Sequence, residues 1–189
     1  MINPRQITDF NRSQAQLEEF FMFCVIVAGK NAHVQATKLE DFLKRGWIQC
    51  MSPFEYLRQL KDDGLLEALL REHKLGQYKR ITTTFMHALD IEDLSKITVT
   101  ELEKIPGIGP KTARFFVVHS RPNQKYAVLD THILSWMRDN LDESMIPKST
   151  PQVPSRYNKL ERLFLKEAMK RKIDIPTFDL EIWNERAVG

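Results

Sequence analysis

Two side chains with the chemistry of a reacting pair stand nineteen residues apart, Lys111 in Ile-Pro-Gly-Ile-Gly-Pro-Lys and Asp130 in Val-Leu-Asp-Thr-His-Ile. An uncharged lysine amine is a nucleophile toward an electrophilic carbon. Lys111 falls in the first turn of a helix that Pro110 opens, where the positive end of the helix dipole and partial burial both favour the neutral amine. Asp or Glu would be the stabilising choice there, so a lysine asks for a reason; a solvent-facing side chain is the plain alternative. A carboxylate at Asp130 can stabilise positive charge that develops on the attacked carbon. Its plain alternative is helix capping, because Ile133, Leu134 and Met137 form an apolar helical pattern behind it. Capping and charge stabilisation are compatible.

The elements around Lys111 form a hairpin. Thr98 and Glu101 make a capping box that starts a short helix over Val99 to about Lys104. Ile105-Pro106-Gly107-Ile108-Gly109 ends that helix and reverses the chain, and proline at the first helical position opens the next helix, over Pro110 to about His119. Free amides at that second start, with no Cβ on Gly107 or Gly109, suit the approach of a phosphate. Gly109 is expected at a turn with an unusual dihedral.

Ile-Pro-Gly-Ile-Gly-Pro-Lys followed at this spacing by Leu-Asp-Thr-His resembles the signature of the helix-hairpin-helix (HhH-GPD) base-excision DNA glycosylases, the superfamily of endonuclease III and 8-oxoguanine glycosylase. The match is specific over Glu101 to Met137. The resemblance implies a bifunctional glycosylase and abasic-site lyase that flips a damaged base, such as 8-oxoguanine, out of double-stranded DNA. Lys111 and Asp130 would be the catalytic residues. It further implies phosphate contacts from the amides of Gly107, Gly109 and Thr112 and from His132, and a monovalent cation on the carbonyls of Glu103, Ile105 and Ile108. Asn31, with Lys30 beside it, would be the wedge that fills the gap left by the base, and Phe115, one turn past Lys111, would line the base pocket. Asn31 is equally readable as an ordinary polar turn residue, Phe115 as core and His132 as a surface histidine. Asp179 and Trp183 resemble an Asp-Leu-x-x-Trp segment near the end of archaeal-type 8-oxoguanine glycosylases. Two other functions fit the same residues: a non-catalytic helix-hairpin-helix DNA-binding module, and a monofunctional glycosylase that uses an activated water. Lys111 argues against the second.

Composition bounds these readings. The chain has 189 residues, 42% of them hydrophobic, enough for a packed core, and a net charge of +3, which neither demands nor excludes nucleic acid. Cys24 and Cys50 offer neither a disulfide framework nor metal-ligand spacing, and no cysteine follows Asp130. Endonuclease III relatives carry a four-cysteine iron–sulfur cluster in that region, so the resemblance leans to the cluster-free branches, with no required cofactor. The N-terminus is polar, and the longest apolar run, Phe20 to Ala28, is too short to span a bilayer. These features lead us to expect an intracellular, cytoplasmic, monomeric protein without a membrane partner.

Helical patterns fill the rest. Gln16 to Ala28 is apolar nearly all round and reads as a buried central helix. Ala32 to Lys44 follows, with Val34, Ala36, Leu39, Phe42 and Leu43 as its inner face. Further helices are read over Phe54 to Asp62, Leu65 to Glu72 and Gln77 to Leu89. Tyr126 to Leu129 is the one strand-like stretch. Leu141 to Arg156 is a proline-rich connection, and Tyr157 to Lys172 resumes with Leu160, Leu163, Phe164, Ala168 and Met169 as a stripe. Its many basic residues read as a solvated face partly offset by Glu161 and Glu167. The expected class is all-α. By analogy with the family, residues 1–189 form one glycosylase domain of two helical lobes flanking a cleft. One lobe is a central bundle over 29–130 with the hairpin at 99–119, and the other is built from 1–28 and 131–189.

Overall fold

A computed structural model describes residues 1–141 and 146–187. Residues 142–145, in the connection expected after Asn140, lie outside the described residues. A 3-10 turn at Pro4–Gln6 precedes α1 (Gln14–Ile26), α2 (Ala32–Ile48), α3 (Pro53–Asp62), α4 (Leu66–Glu72) and α5 (Tyr78–Ala88). Then come α6 (Val99–Leu102), α7 (Pro110–Ser120), α8 (Thr131–Asn140), α9 (Pro154–Arg171) and α10 (Ile175–Arg186). The fold is all-α. Among the described residues there is no strand, and Tyr126 to Leu129 has no ladder partner.

The helices gather into two compact units: Met1–Pro4 with Asn11–Ile108, and Arg5–Phe10 with the chain from Gly109 onward. These boundaries differ from the division expected at Gly29 and Asp130. The cause is packing: α1 is surrounded by α2, α3 and α5, whereas α7 packs against α10. The hairpin thus places its first helix, α6, in one unit and its second, α7, in the other.

The first unit is organised around α1. Phe20, Met22, Val25 and Ile26 are wholly buried, as expected for a helix apolar on every side. Its acidic residues are satisfied inside: Glu18 accepts from the Phe54 N–H at 3.0 Å and from Gln14 Nε2 at 3.1 Å. On α2 the buried stripe is Ala36, Leu39, Phe42 and Leu43, but Val34, expected with them, is exposed. At about 100° per residue it lies roughly half a turn away from that stripe. The same arithmetic removes Leu163 and Met169 from the stripe of α9, where Tyr157, Leu160, Phe164 and Ala168 are buried and those two are exposed.

α5 holds the hairpin turn. Arg80 donates from Nη1 to the Gly107 carbonyl and from Nη2 to the Val25 carbonyl at the end of α1, each at 2.8 Å. Thr84 Oγ1 donates to the Pro106 carbonyl at 2.7 Å. Gly107 has φ +90°, and a Cβ there would overlap Thr84 Oγ1 and stand 2.9 Å from Arg80 Cγ.

In the second unit, Ile133, Leu134 and Met137 of α8, Leu160 and Phe164 of α9 and Phe178 and Ile182 of α10 form the core, with the rings of Phe164 and Phe178 stacked at 4.9 Å. The N-terminal segment 5–10 joins this unit: the Asp9 N–H donates to the His119 carbonyl at 3.2 Å, and Thr8 Oγ1 lies 2.7 Å from His119 Nδ1.

Gly107→Ala should cost about 2 kcal/mol or more, since it combines a left-handed dihedral with a side-chain overlap. Thermal melts should record that as a drop of roughly 4–8 °C for a chain of this size. Gly109→Ala should melt within a degree or two of the wild type, and equal losses for the two would mean that the Gly107 packing does not govern the turn.

Candidate active site

α7 begins at an open backbone. Its N-cap, Gly109, has φ −98° and ψ 175°, extended backbone that any residue adopts, and a Cβ there would meet no described atom within 4 Å. The unusual dihedral expected at Gly109 therefore belongs to Gly107, whose turn is shaped by α5. Pro110 supplies no N–H, the cap has no side chain, and the amides of Lys111 and Thr112 precede the first intrahelical bond, from the Ala113 N–H to the Gly109 carbonyl at 3.1 Å. Thr112 is buried, Lys111 and Phe115 are half-buried, and the Phe115 ring meets the His119 ring edge-on at 5.2 Å.

Asp130 is the N-cap of α8, its Oδ1 accepting from the Ile133 N–H at 2.8 Å. Burial raises its carboxyl above the ordinary aspartate value and the nearby Asp179 carboxylate raises it further, while the Ile133 N–H, the Lys111 charge and His132 hold it down. Lys111 and Asp130 are thus brought within electrostatic reach in one unit. Asp130 caps its helix and also presents a half-buried carboxyl.

The stretch before Asp130 is held by side chains of α9 and by the chain just before it. Tyr157 Oη donates to the Ala127 carbonyl at 2.8 Å and accepts from the Leu129 N–H at 3.1 Å. Burial pushes that phenol far above its usual range, so it stays a neutral donor. Thr150 Oγ1 donates to the Leu129 carbonyl at 2.7 Å. Glu161, expected on a solvated face, is buried, and its Oε1 accepts from the Ala127 N–H at 2.9 Å and from Arg114 Nε at 2.8 Å. Arg114 also donates to the Pro110 carbonyl at 3.3 Å and lies 4.4 Å from the centre of the Tyr157 ring.

α10 contributes a second carboxylate. Asp179 is buried, with Oδ2 3.1 Å from Nε2 of the wholly buried His119, and its Oδ1 has no hydrogen-bond partner among the described residues. One turn later Trp183 meets the His132 ring edge-on at 6.2 Å. Lys111, Phe115 and His119, spaced by four, share a face of α7, as Asp179 and Trp183 share one of α10. An Asp-to-Trp spacing was visible in the sequence, whereas nothing local marked His119, Arg114, Tyr157 or Glu161.

The remaining sequence-predicted residues lie in the first unit. Asn31 is the N-cap of α2, its Oδ1 accepting from the Val34 N–H at 3.1 Å. Lys30 Nζ donates to the Leu75 carbonyl. Its partial burial, with Arg80 and Lys38 nearby, brings its pKa down to about 8. Of the carbonyls expected to hold a cation, that of Ile105 accepts from the Ile108 N–H at 3.0 Å, an ordinary turn bond. No group of three or more His, Cys, Asp or Glu suited to a metal occurs among the described residues.

Residues 90–114 match the family model described as the helix-hairpin-helix motif. Those residues therefore carry a helix-hairpin-helix motif. The fold matches the crystal structure of Methanocaldococcus jannaschii 8-oxoguanine glycosylase/lyase in complex with a 15mer DNA containing 8-oxoguanine, with a TM-score of 0.70 and 19% identity over 98% of this chain and 88% of that one. A second crystal structure of 8-oxoguanine DNA glycosylase from that organism matches with a TM-score of 0.68 and 20% identity over 96% and 83%. No curated protein sequence matches the chain. The chain thus carries the helix-hairpin-helix motif within the fold of these archaeal 8-oxoguanine glycosylases.

Because folding raises the Asp130 pKa, the neutral carboxyl is the better tolerated form. That relative stabilisation is complete below the ordinary aspartate value of about 4 and is lost as pH rises through the higher folded value. Asp130→Asn keeps a good cap and removes the partly desolvated charge. Its Tm at pH 7 should equal or exceed that of the wild type, and the difference should shrink toward zero below about pH 4. A Tm several degrees lower at pH 7 would mean that the carboxylate itself is required for the cap.

Proposed function

We propose that the chain is a DNA glycosylase with abasic-site lyase activity, acting on a damaged base, of which an oxidised guanine is the best candidate. The observation that carries this reading is the placement of Lys111, at the uncapped start of α7, close enough to the half-buried Asp130 for its charge to lower that carboxyl's pKa. The lysine amine attacks C1′ of an extruded nucleotide, the N-glycosidic bond breaks, and its electron pair leaves with the base, which takes up a proton. The amine then loses a proton and its lone pair opens the sugar, breaking the C1′–O4′ bond while O4′ takes up a proton, which gives a protonated Schiff base at C1′. Removal of a C2′ proton then expels the 3′ phosphate by breaking the C3′–O bond. As a carboxylate, Asp130 stabilises the positive charge on the sugar in the first step, and such an effect is strongest where water is excluded. Its raised pKa makes it a ready proton acceptor as well.

Three further features support a base-excision reading. Open amides at Gly109, Lys111 and Thr112, with the Gly107 amide two residues earlier, suit a DNA phosphate, and His132 at the start of α8 suits another. Phe115 and Trp183 offer aromatic faces to a base. Asp179 Oδ1 lacks a donor, and a guanine-type base carries ring N–H and amino donors that a buried carboxylate oxygen can accept. Extruding a base costs a few kcal/mol, and these contacts would offset that cost. Asn31 and Lys30 are the wedge in this reading, and a monovalent cation at the carbonyls of Glu103, Ile105 and Ile108 would steady the hairpin. No other cofactor enters the chemistry, and the enzyme would act as a monomer on double-stranded DNA.

Duplexes that each carry one modified base, incubated with the protein and sodium borohydride, test this directly. The wild type should become covalently attached to DNA on an oxidised-guanine duplex, and Lys111→Gln should bind without attachment. Efficient trapping by Lys111→Gln would move the chemistry to another amine. Binding without any product on every duplex would leave a DNA-binding module.

A further inference from the structure

We propose that Glu161 is a positioning residue that sets the separation of Lys111 from Asp130. This inference rests on the reading of those two residues as the reacting pair. A single oxygen, Glu161 Oε1, accepts from Arg114 Nε at 2.8 Å and from the Ala127 N–H at 2.9 Å. Arg114 lies three residues after Lys111 on α7, and Ala127 lies three residues before Asp130. One atom on α9 therefore ties together the two segments that carry the pair.

Each side of this tie is reinforced. Arg114 donates a second bond to the Pro110 carbonyl, the residue before Lys111. On the other side, Tyr157 Oη, one turn before Glu161, fixes Ala127 and Leu129 through both a donated and an accepted bond. Glu161 and Arg114 are both buried. A buried ion pair gives little net stability compared with apolar residues of the same volume, so its presence is better explained by the single geometry it imposes. Shortening the side chain by one methylene should pull the two segments out of register by about 1 Å, which can cost about 100-fold in rate.

The test uses the full chain and a duplex holding one abasic site, so the identity of the damaged base does not enter. Single-turnover strand cleavage and borohydride trapping report the chemistry. Affinity for a duplex with a tetrahydrofuran abasic analogue, which cannot form the Schiff base, reports binding. Glu161→Asp should melt cooperatively, bind the analogue within about twofold of the wild type and cleave about 100-fold more slowly. Tyr157→Phe, which removes one hydroxyl and keeps the ring, should bind normally and cleave about tenfold more slowly. Should Glu161→Asp not fold, Tyr157→Phe decides alone. Wild-type cleavage in a folded variant, or losses of binding and cleavage in equal measure, would overturn the positioning role while leaving Lys111 as nucleophile. A wild type that neither cleaves nor is trapped would remove that nucleophile and this inference with it.

Discussion

Irregular backbone inside a protein must find hydrogen-bond partners, and in an all-helical chain helices can supply them from their own backbones only at their ends. That constraint shapes the two stretches on which the site depends. The hairpin turn satisfies its carbonyls with Arg80 and Thr84 of α5. The stretch from Tyr126 to Leu129 uses Tyr157, Glu161 and Thr150. In both places a side chain reaches across from a regular helix and fixes a segment that has no periodic structure. A buried carbonyl or amide left unpaired costs roughly 1–3 kcal/mol, so the site stays shaped only while its helical neighbours are in place.

The same residues show why Arg80 has no conservative replacement. Its planar fork reaches two carbonyls, Gly107 and Val25, which lie on different parts of the first unit. Lysine would offer a point charge and could not serve both with fixed geometry. Lys30 and Lys38 meet simpler demands with one carbonyl each, at Leu75 and Lys74.

Much of the architecture was legible because its signals are local. The capping box at Thr98, proline at the start of α7 and the apolar girth of α1 each act within a few residues, and the helices begin close to where those signals stand. Lys111 and Asp130 stood out for the same reason. What could not be read depends on partners far along the chain. Whether Gly107 or Gly109 takes the left-handed dihedral is decided by Thr84 and Arg80, more than twenty residues earlier. Glu161 looks like any acidic residue on a basic helix until Arg114 and Ala127 are placed beside it. Val34, Leu163 and Met169 were misassigned because hydrophobicity alone does not say which residues of a short pattern lie on the buried arc.

The path of the chain between the two units bears on how the protein comes to be folded. It passes from the first unit to the second after Pro4, returns after Phe10 and leaves for good after Ile108. Thr8 and His119, which meet in the second unit, are separated by 111 residues, and Arg5 and Asn184 by 179. During synthesis the first unit can condense as soon as α6 emerges, while segment 5–10 waits for the last helix. Closing loops of that length costs entropy that local helix formation does not. The second unit, which holds Lys111 and Asp130, is therefore the later of the two to complete its own contacts.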